Sequence, residues 1–126
     1  MAVSTGRLCP QRLTMEHVTS RWGVLVLIRL MERSHRFAEL RRAIDSTDSV
    51  GPVTEKMLAQ TLQSLERDGL VNRDVKPVIP PHVDYSLTEL GHEAALQIRA
   101  LALWTNDRMD RVEKARKDYD TAKGRA

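Results

Sequence analysis

Residues 54–87 read TEKMLAQTLQSLERDGLVNRDVKPVIPPHVDYSL, and this stretch decides the fold. It opens on Thr54, whose hydroxyl can accept from an otherwise unpaired amide in a helix's first turn. The reciprocal acid of a capping box is missing, because Met57 stands in its place. Leu58, Leu62 and Leu65 then recur at helical spacing and form one apolar stripe. Asp68-Gly69 ends the helix, since glycine best accepts a left-handed terminal turn. Leu70–Val75 and His82–Leu87 show apolar-polar alternation with β-branched residues among them, so they read as two strands. Between them Lys76–Pro81 holds three prolines, which cannot donate to a ladder and make a stiff connector. A helix thus feeds straight into a hairpin.

Upstream, Met1–Pro10 reads as a loose arm, and Gln11–Ser20 as a short helix with Leu13 and Val18 as its apolar contacts. Trp22–Met31 has a single charge, Arg29, and a segment apolar on nearly every face belongs at the centre of a core. Ser34 and His35 break the pattern, and a third helix runs from Arg36 to Ile44 with Phe37, Leu40 and Ile44 as its buried stripe. Asp45–Pro52 contains almost every strong turn former and is a loop. Downstream, Thr88 can cap a last helix reaching about Lys117, with an apolar face of Ala94, Ile98, Leu101 and Trp104 widened by Leu96 and Leu103.

The order helix, helix, helix, loop, helix, hairpin, long helix predicts a mainly α fold with a small β-hairpin, an α+β arrangement. That is the layout of a winged helix-turn-helix with a long C-terminal dimerisation helix. The expected division is an arm at 1–10, a DNA-binding domain at 11–91, and a dimerisation helix and tail at 92–126.

Composition sets the outer bounds. The chain has 126 residues, enough for one core. Its 41% hydrophobic and 29% charged residues are ordinary globular proportions, and aromatics at 4% leave the packing to aliphatic side chains. A net charge of +3, from 20 basic and 17 acidic residues, is compatible with nucleic acid without requiring it. Cys9 is the only cysteine, so no intramolecular disulfide can form. The longest apolar run, Trp22–Ile28, falls well short of the roughly 20 residues that span a bilayer. The expected location is the cytoplasm, alongside the chromosome.

Catalysis finds little support. His17, His35, His82 and His92 are widely separated, and none has metal-ligand spacing with another histidine or with Cys9. Gly51, Gly69 and Gly91 are isolated, so there is no phosphate loop. Asp45 and Asp48 begin like a calcium loop, but its glycine and distal glutamate do not follow. Neither an enzyme, a metal site nor a cofactor is expected.

The fourth helix carries the functional signal. Lys56, Gln60 and Gln63 fall within about 60° of one another, opposite the leucines, with the small Ala59 beside them. Lysine and glutamine can bond guanine and adenine edges in the major groove. The same pattern also suits a solvated helix face, and the following hairpin is what favours DNA. Arg73, Lys76 and His82 flank the hairpin tip, where phosphates would be met. With Arg36 and Thr54 they complete the candidate DNA-binding set. A protein-interaction module using this face is the alternative, and the acidic Glu55 and Glu66 leave it room.

The chain also resembles the HxlR-type family of bacterial winged-helix regulators from Cys9 to Trp104. The resemblance rests on Cys9-Pro10, Trp22, Arg36-Phe37, residues 39–44, Lys56-Met57-Leu58, Leu62, Leu65-Glu66 and residues 68–71, and above all on Pro80–Gly91, PPHVDYSLTELG. It implies a homodimeric, DNA-binding transcriptional regulator paired through its terminal helices, with Leu96, Leu101, Leu103 and Trp104 as the expected interface. It also implies that Cys9, at the position where some members carry a sensing thiol, responds to oxidants or electrophiles. Ser20-Arg21-Trp22 replaces the usual Gly-Lys-Trp, residues 45–52 make a longer loop, and Gln63 stands where arginine is common.

Overall fold

The computed structural model describes residues 8–46 and 51–124, apart from the side chains of residues 8 and 9. Its elements are α1 (Leu8–Thr19), α2 (Arg21–Glu32), β1 (His35–Arg36), α3 (Phe37–Asp45), α4 (Glu55–Arg67), β2 (Val71–Lys76), β3 (His82–Leu87) and α5 (Glu89–Gly124). The three strands form one antiparallel sheet in the order β1-β3-β2. This is a winged helix-turn-helix: α3 and α4 are the helical pair, β2 and β3 the wing, and α5 the long terminal helix.

The central place expected of the apolar second helix is where α2 sits. It packs on α1, α3, α4, α5 and β3. Val26 and Leu27 of α2 meet Leu40 and Ile44 of α3 and the full stripe Leu58, Leu62 and Leu65 of α4 in one core. Ser20 caps α2, accepting from the Gly23 amide at 3.0 Å.

Several boundaries differ from expectation for physical reasons. Helix α1 starts at Leu8, not Gln11. Pro10 is tolerated there because the first-turn amide it lacks would have no helical partner anyway. The two-residue strand β1 was not legible: it is too short for alternation, and its partner β3 lies about fifty residues downstream, with His35 opposite Tyr85 and Arg36 opposite Asp84. Helix α5 runs past Lys117 to Gly124. Of its apolar residues only Ala95 and Ile98 are buried, while Leu101 and Trp104 lie on the surface. Val53 is a core residue although it ends a loop of turn formers.

The junction from α4 to α5 is tightly specified. Gly69, at φ +78°, lets its own amide reach the Glu66 carbonyl and the Leu70 amide reach that of Leu65, each at 2.9 Å. These are the paired bonds of a Schellman motif, with Leu65 and Leu70 both buried beneath it. Thr88 then ties the next turn to this one. Its hydroxyl donates to the Gly69 carbonyl at 2.6 Å and accepts from the Gly91 amide at 2.9 Å. A Cβ at Gly91 would collide with the Leu70 carbonyl, so α5 passes closer to the start of the wing than any side chain allows.

Candidate nucleic-acid interface

Helix α4 is held at both ends before anything is asked of its exposed face. At its start the Thr54 hydroxyl accepts from the Met57 amide at 3.1 Å. Arg41 of α3 clamps the same end, donating to the Val53 carbonyl at 3.1 Å and pairing with Glu55 at 3.2 Å. Asp45 accepts from the Val53 amide at 2.9 Å. The two helices of the pair are therefore fixed relative to each other by α3 side chains. At the far end Asp68 meets His17 of α1 at 2.6 Å in a partly buried contact. A reading surface needs such fixity, because groups must be placed to within a fraction of an ångström.

On the free face Lys56, Gln60 and Gln63 are all exposed, with Ala59 half-buried beside them. Arg67 continues the same row. It lies eleven residues after Lys56, within about 20° of it around the axis, and is also exposed. The sequence reading passed over it, although the helical spacing would have found it. From Lys56 to Arg67 the row spans about 16 Å.

The wing lies beside this face. Arg73 sits opposite Tyr85 in the ladder and is exposed. With Tyr85 of β3 and with Ala59, Gln63 and Glu66 of α4, it lines a notch of about 370 Å³ between helix and wing. The structure thus brings Gln63 and Arg73 together. Lys76 closes the hairpin opposite His82. Its ammonium is bonded to Asp74 at 2.7 Å, and that hydrogen bond and charge hold its pKa above the usual lysine value. His82 stands 3.7 Å from Asp84. Lys76 and His82 of the wing are therefore each accompanied by a carboxylate, a pairing that the sequence does not reveal.

Two further candidates lie elsewhere. Arg36 is exposed in β1, opposite Asp84, and it precedes α3, where its amide donates to Glu39 at 2.8 Å. That bond holds the Glu39 carboxyl below its ordinary value. Thr54 has its oxygen engaged in the cap. The side chain of Cys9 lies outside the described residues, and so do residues 47–50 of the stretch expected to be a loop. Leu96, Leu101, Leu103 and Trp104 are all exposed on α5. No helix of the described residues is long and apolar enough to cross a membrane.

Comparison with known proteins finds relatives of this fold. A family model described as HxlR-like helix-turn-helix matches residues 17–113. The chain is 56% identical over 96 residues to the HTH-type transcriptional regulator YtfH of Escherichia coli (strain K12), covering 76% of this chain and 71% of that one. It is 35% identical over 115 residues to YdeP of Bacillus subtilis (strain 168), covering 89% and 85%. Among solved structures, the transcriptional regulator ytfH from Salmonella typhimurium superposes with a TM-score of 0.74 at 49% identity, over 86% of this chain and 91% of that one. The redox regulator HypR in its reduced form superposes with a TM-score of 0.71 at 30% identity, over 83% and 98%.

Proposed function

The chain belongs to the HxlR-like helix-turn-helix family of transcriptional regulators, and from that premise we propose that it binds a two-fold symmetric operator as a homodimer. In this reading α4 enters the major groove. Lys56, Gln60 and Gln63 meet base edges there, and Arg67 reaches the groove's far edge. Arg73 of the wing takes a phosphate, with weaker contributions from Lys76, whose charge is shared with Asp74, and from His82, which stands beside Asp84. Arg36 and Thr54 approach the backbone from either side of the helical pair. Residues 11–91 act as the DNA-binding domain, and 92–126 pair the protomers through Leu96, Leu101, Leu103 and Trp104.

The observation that carries this reading is the notch where Gln63 of α4 and Arg73 of the wing face one space. Base-reading and phosphate-binding chemistry adjoin there, as a duplex entering between helix and wing would need. The protein-interaction alternative loses part of its support, because Glu55 is engaged by Arg41. A gel shift against the gene's own upstream region tests the proposal. Retention of that fragment over a scrambled one at matched salt is the expected result. Equal retention of both would reduce the protein to a non-specific binder, and none at all would favour the protein-interaction reading.

Redox response through Cys9 belongs to the same proposal. It is the chain's only thiol, so a disulfide would have to join two molecules or enlist a small thiol. The superposable HypR is described as a redox regulator. Diamide should release wild-type protein from the operator and leave Cys9→Ser bound. Equal release of both would remove Cys9 from the response.

A further inference from the structure

The wing ends in an apolar tip left to solvent. Residues 77–81 read Pro-Val-Ile-Pro-Pro and carry no charge. All five are exposed, Ile79 to 100%, and Val75 on the strand below is exposed as well. An isoleucine side chain held in water adds nothing to the fold, since its stabilising effect comes from removing apolar surface from solvent. The tip is also poorly made for phosphates. Its three prolines have no amide to donate, so only Val78 and Ile79 keep a backbone N–H. Lys76 and His82 stand back at the last rung of the ladder, with Asp74 and Asp84 beside them. What the tip offers is an apolar point on a stiff mount, because each proline fixes its own φ.

The wing also sets where that point can arrive. Arg73 shares a notch with Gln63 of α4, and the six residues from Arg73 to Ile79 reach at most about 20 Å. On one face of a duplex the major and minor grooves alternate about every 17 Å, half of a 34 Å turn. With α4 in the major groove, the tip therefore meets the adjacent minor groove. Isoleucine and proline are among the side chains that wedge between base steps from that groove, unstacking them and kinking the duplex. We infer that the wing tip is such a wedge: Ile79, braced by Pro80 and Pro81, enters the minor groove beside each half-site and bends the duplex. Wedges of this kind kink DNA by about 20–90° toward the major groove. The inference rests on the operator binding proposed above and adds a second source of specificity to it. A step that unstacks easily, such as TA or CA, is favoured beneath the tip without a hydrogen bond to its bases.

The test is energy transfer between dyes at the two ends of the upstream fragment retained in the gel shift, cut down to its footprint. Wild-type protein should raise the transfer, because bending brings the ends together. Ile79→Ser should raise it less and bind roughly ten- to a hundred-fold more weakly, the scale of two buried isoleucines less the cost of unstacking. Ile79→Leu keeps a wedge and should retain both bending and affinity. All three should melt alike, since residue 79 lies outside the core. Their salt slopes should also agree, since no charge changes, and a lower slope for Ile79→Ser would mark a backbone contact and overturn the wedge. If wild type binds without bending the fragment, or if Ile79→Ser bends and binds it as wild type does, the wedge is overturned while the operator reading stands. The apolar tip would then be left for a protein partner. Failure to retain any fragment would overturn the operator reading, and the wedge with it.

Discussion

Replacing Gln60 by alanine isolates base reading from folding. Gln60 is exposed on α4 and makes no side-chain hydrogen bond among the described residues. Alanine also has the higher helix propensity, by a few tenths of a kcal/mol. Folding stability should therefore stay within about 0.5 kcal/mol of wild type and move, if at all, upward. Binding should respond differently. A bidentate glutamine–adenine pair discriminates by about 1–3 kcal/mol. A symmetric dimer loses it at both half-sites, so about 2–6 kcal/mol, or roughly thirty-fold to beyond ten-thousand-fold, should go from operator affinity. The salt slope should not change, because no charge is removed. The assay is a fluorescence-anisotropy titration at fixed salt, run on the operator and on variants substituted at symmetric positions. Gln60→Ala should become indifferent at one position per half-site and keep its preferences elsewhere. Wild-type affinity on every duplex would refute the placement of α4, and a uniform loss on all of them would make Gln60 a backbone contact.

Other perturbations probe the wing, the dimer and the buried histidine. Arg73→Ala should lower the salt slope by about one per protomer, while Lys76→Ala should lower it less, because Asp74 already holds that ammonium. Equal slopes for the two would show that the Asp74 contact gives way on DNA. Trp104, 54% exposed on α5, is the large anchor of the proposed pairing, and Trp104→Ala should shift light scattering toward monomer while circular dichroism is preserved. An unchanged mass would take it out of the interface. His35 is buried with its Nδ1 unpartnered, and burial, followed by the charge of Arg33, holds its pKa below the ordinary 6.5. Glu39, a hydrogen bond with the Arg29 backbone and Glu32 oppose the shift more weakly. The unfolded chain thus binds the proton first, so this stability is fully present above about pH 6.5 and declines as pH falls from there toward the folded value. Urea midpoints between pH 8 and pH 5 should fall less steeply for His35→Phe than for wild type, and parallel curves would contradict the linkage.

Much of this molecule was legible because its signals are local. The leucine stripe of α4, the Thr54 cap and the Asp68-Gly69 terminus each depend on residues within about four positions of one another, and all three stand in the structure as read. The hairpin was legible for the same reason, since period-two alternation and a proline tip need no distant partner. Even Arg67 was within reach of helical arithmetic. What tertiary structure alone decided involves pairs far apart in the chain. Strand β1 exists only because β3 arrives beside it. Arg41 fixes the start of α4 across a loop, and Asp74 tempers Lys76 through a contact that composition cannot rank. On α5, hydrophobicity at 94–104 marks a surface that avoids water, but not which residues α2 covers. Ala95 and Ile98 face inward and Leu101 and Trp104 outward because the close approach at Gly91 sets the helix's rotation against Leu70. Periodicity says that a helix has a face. Only the neighbours it meets say which way that face turns.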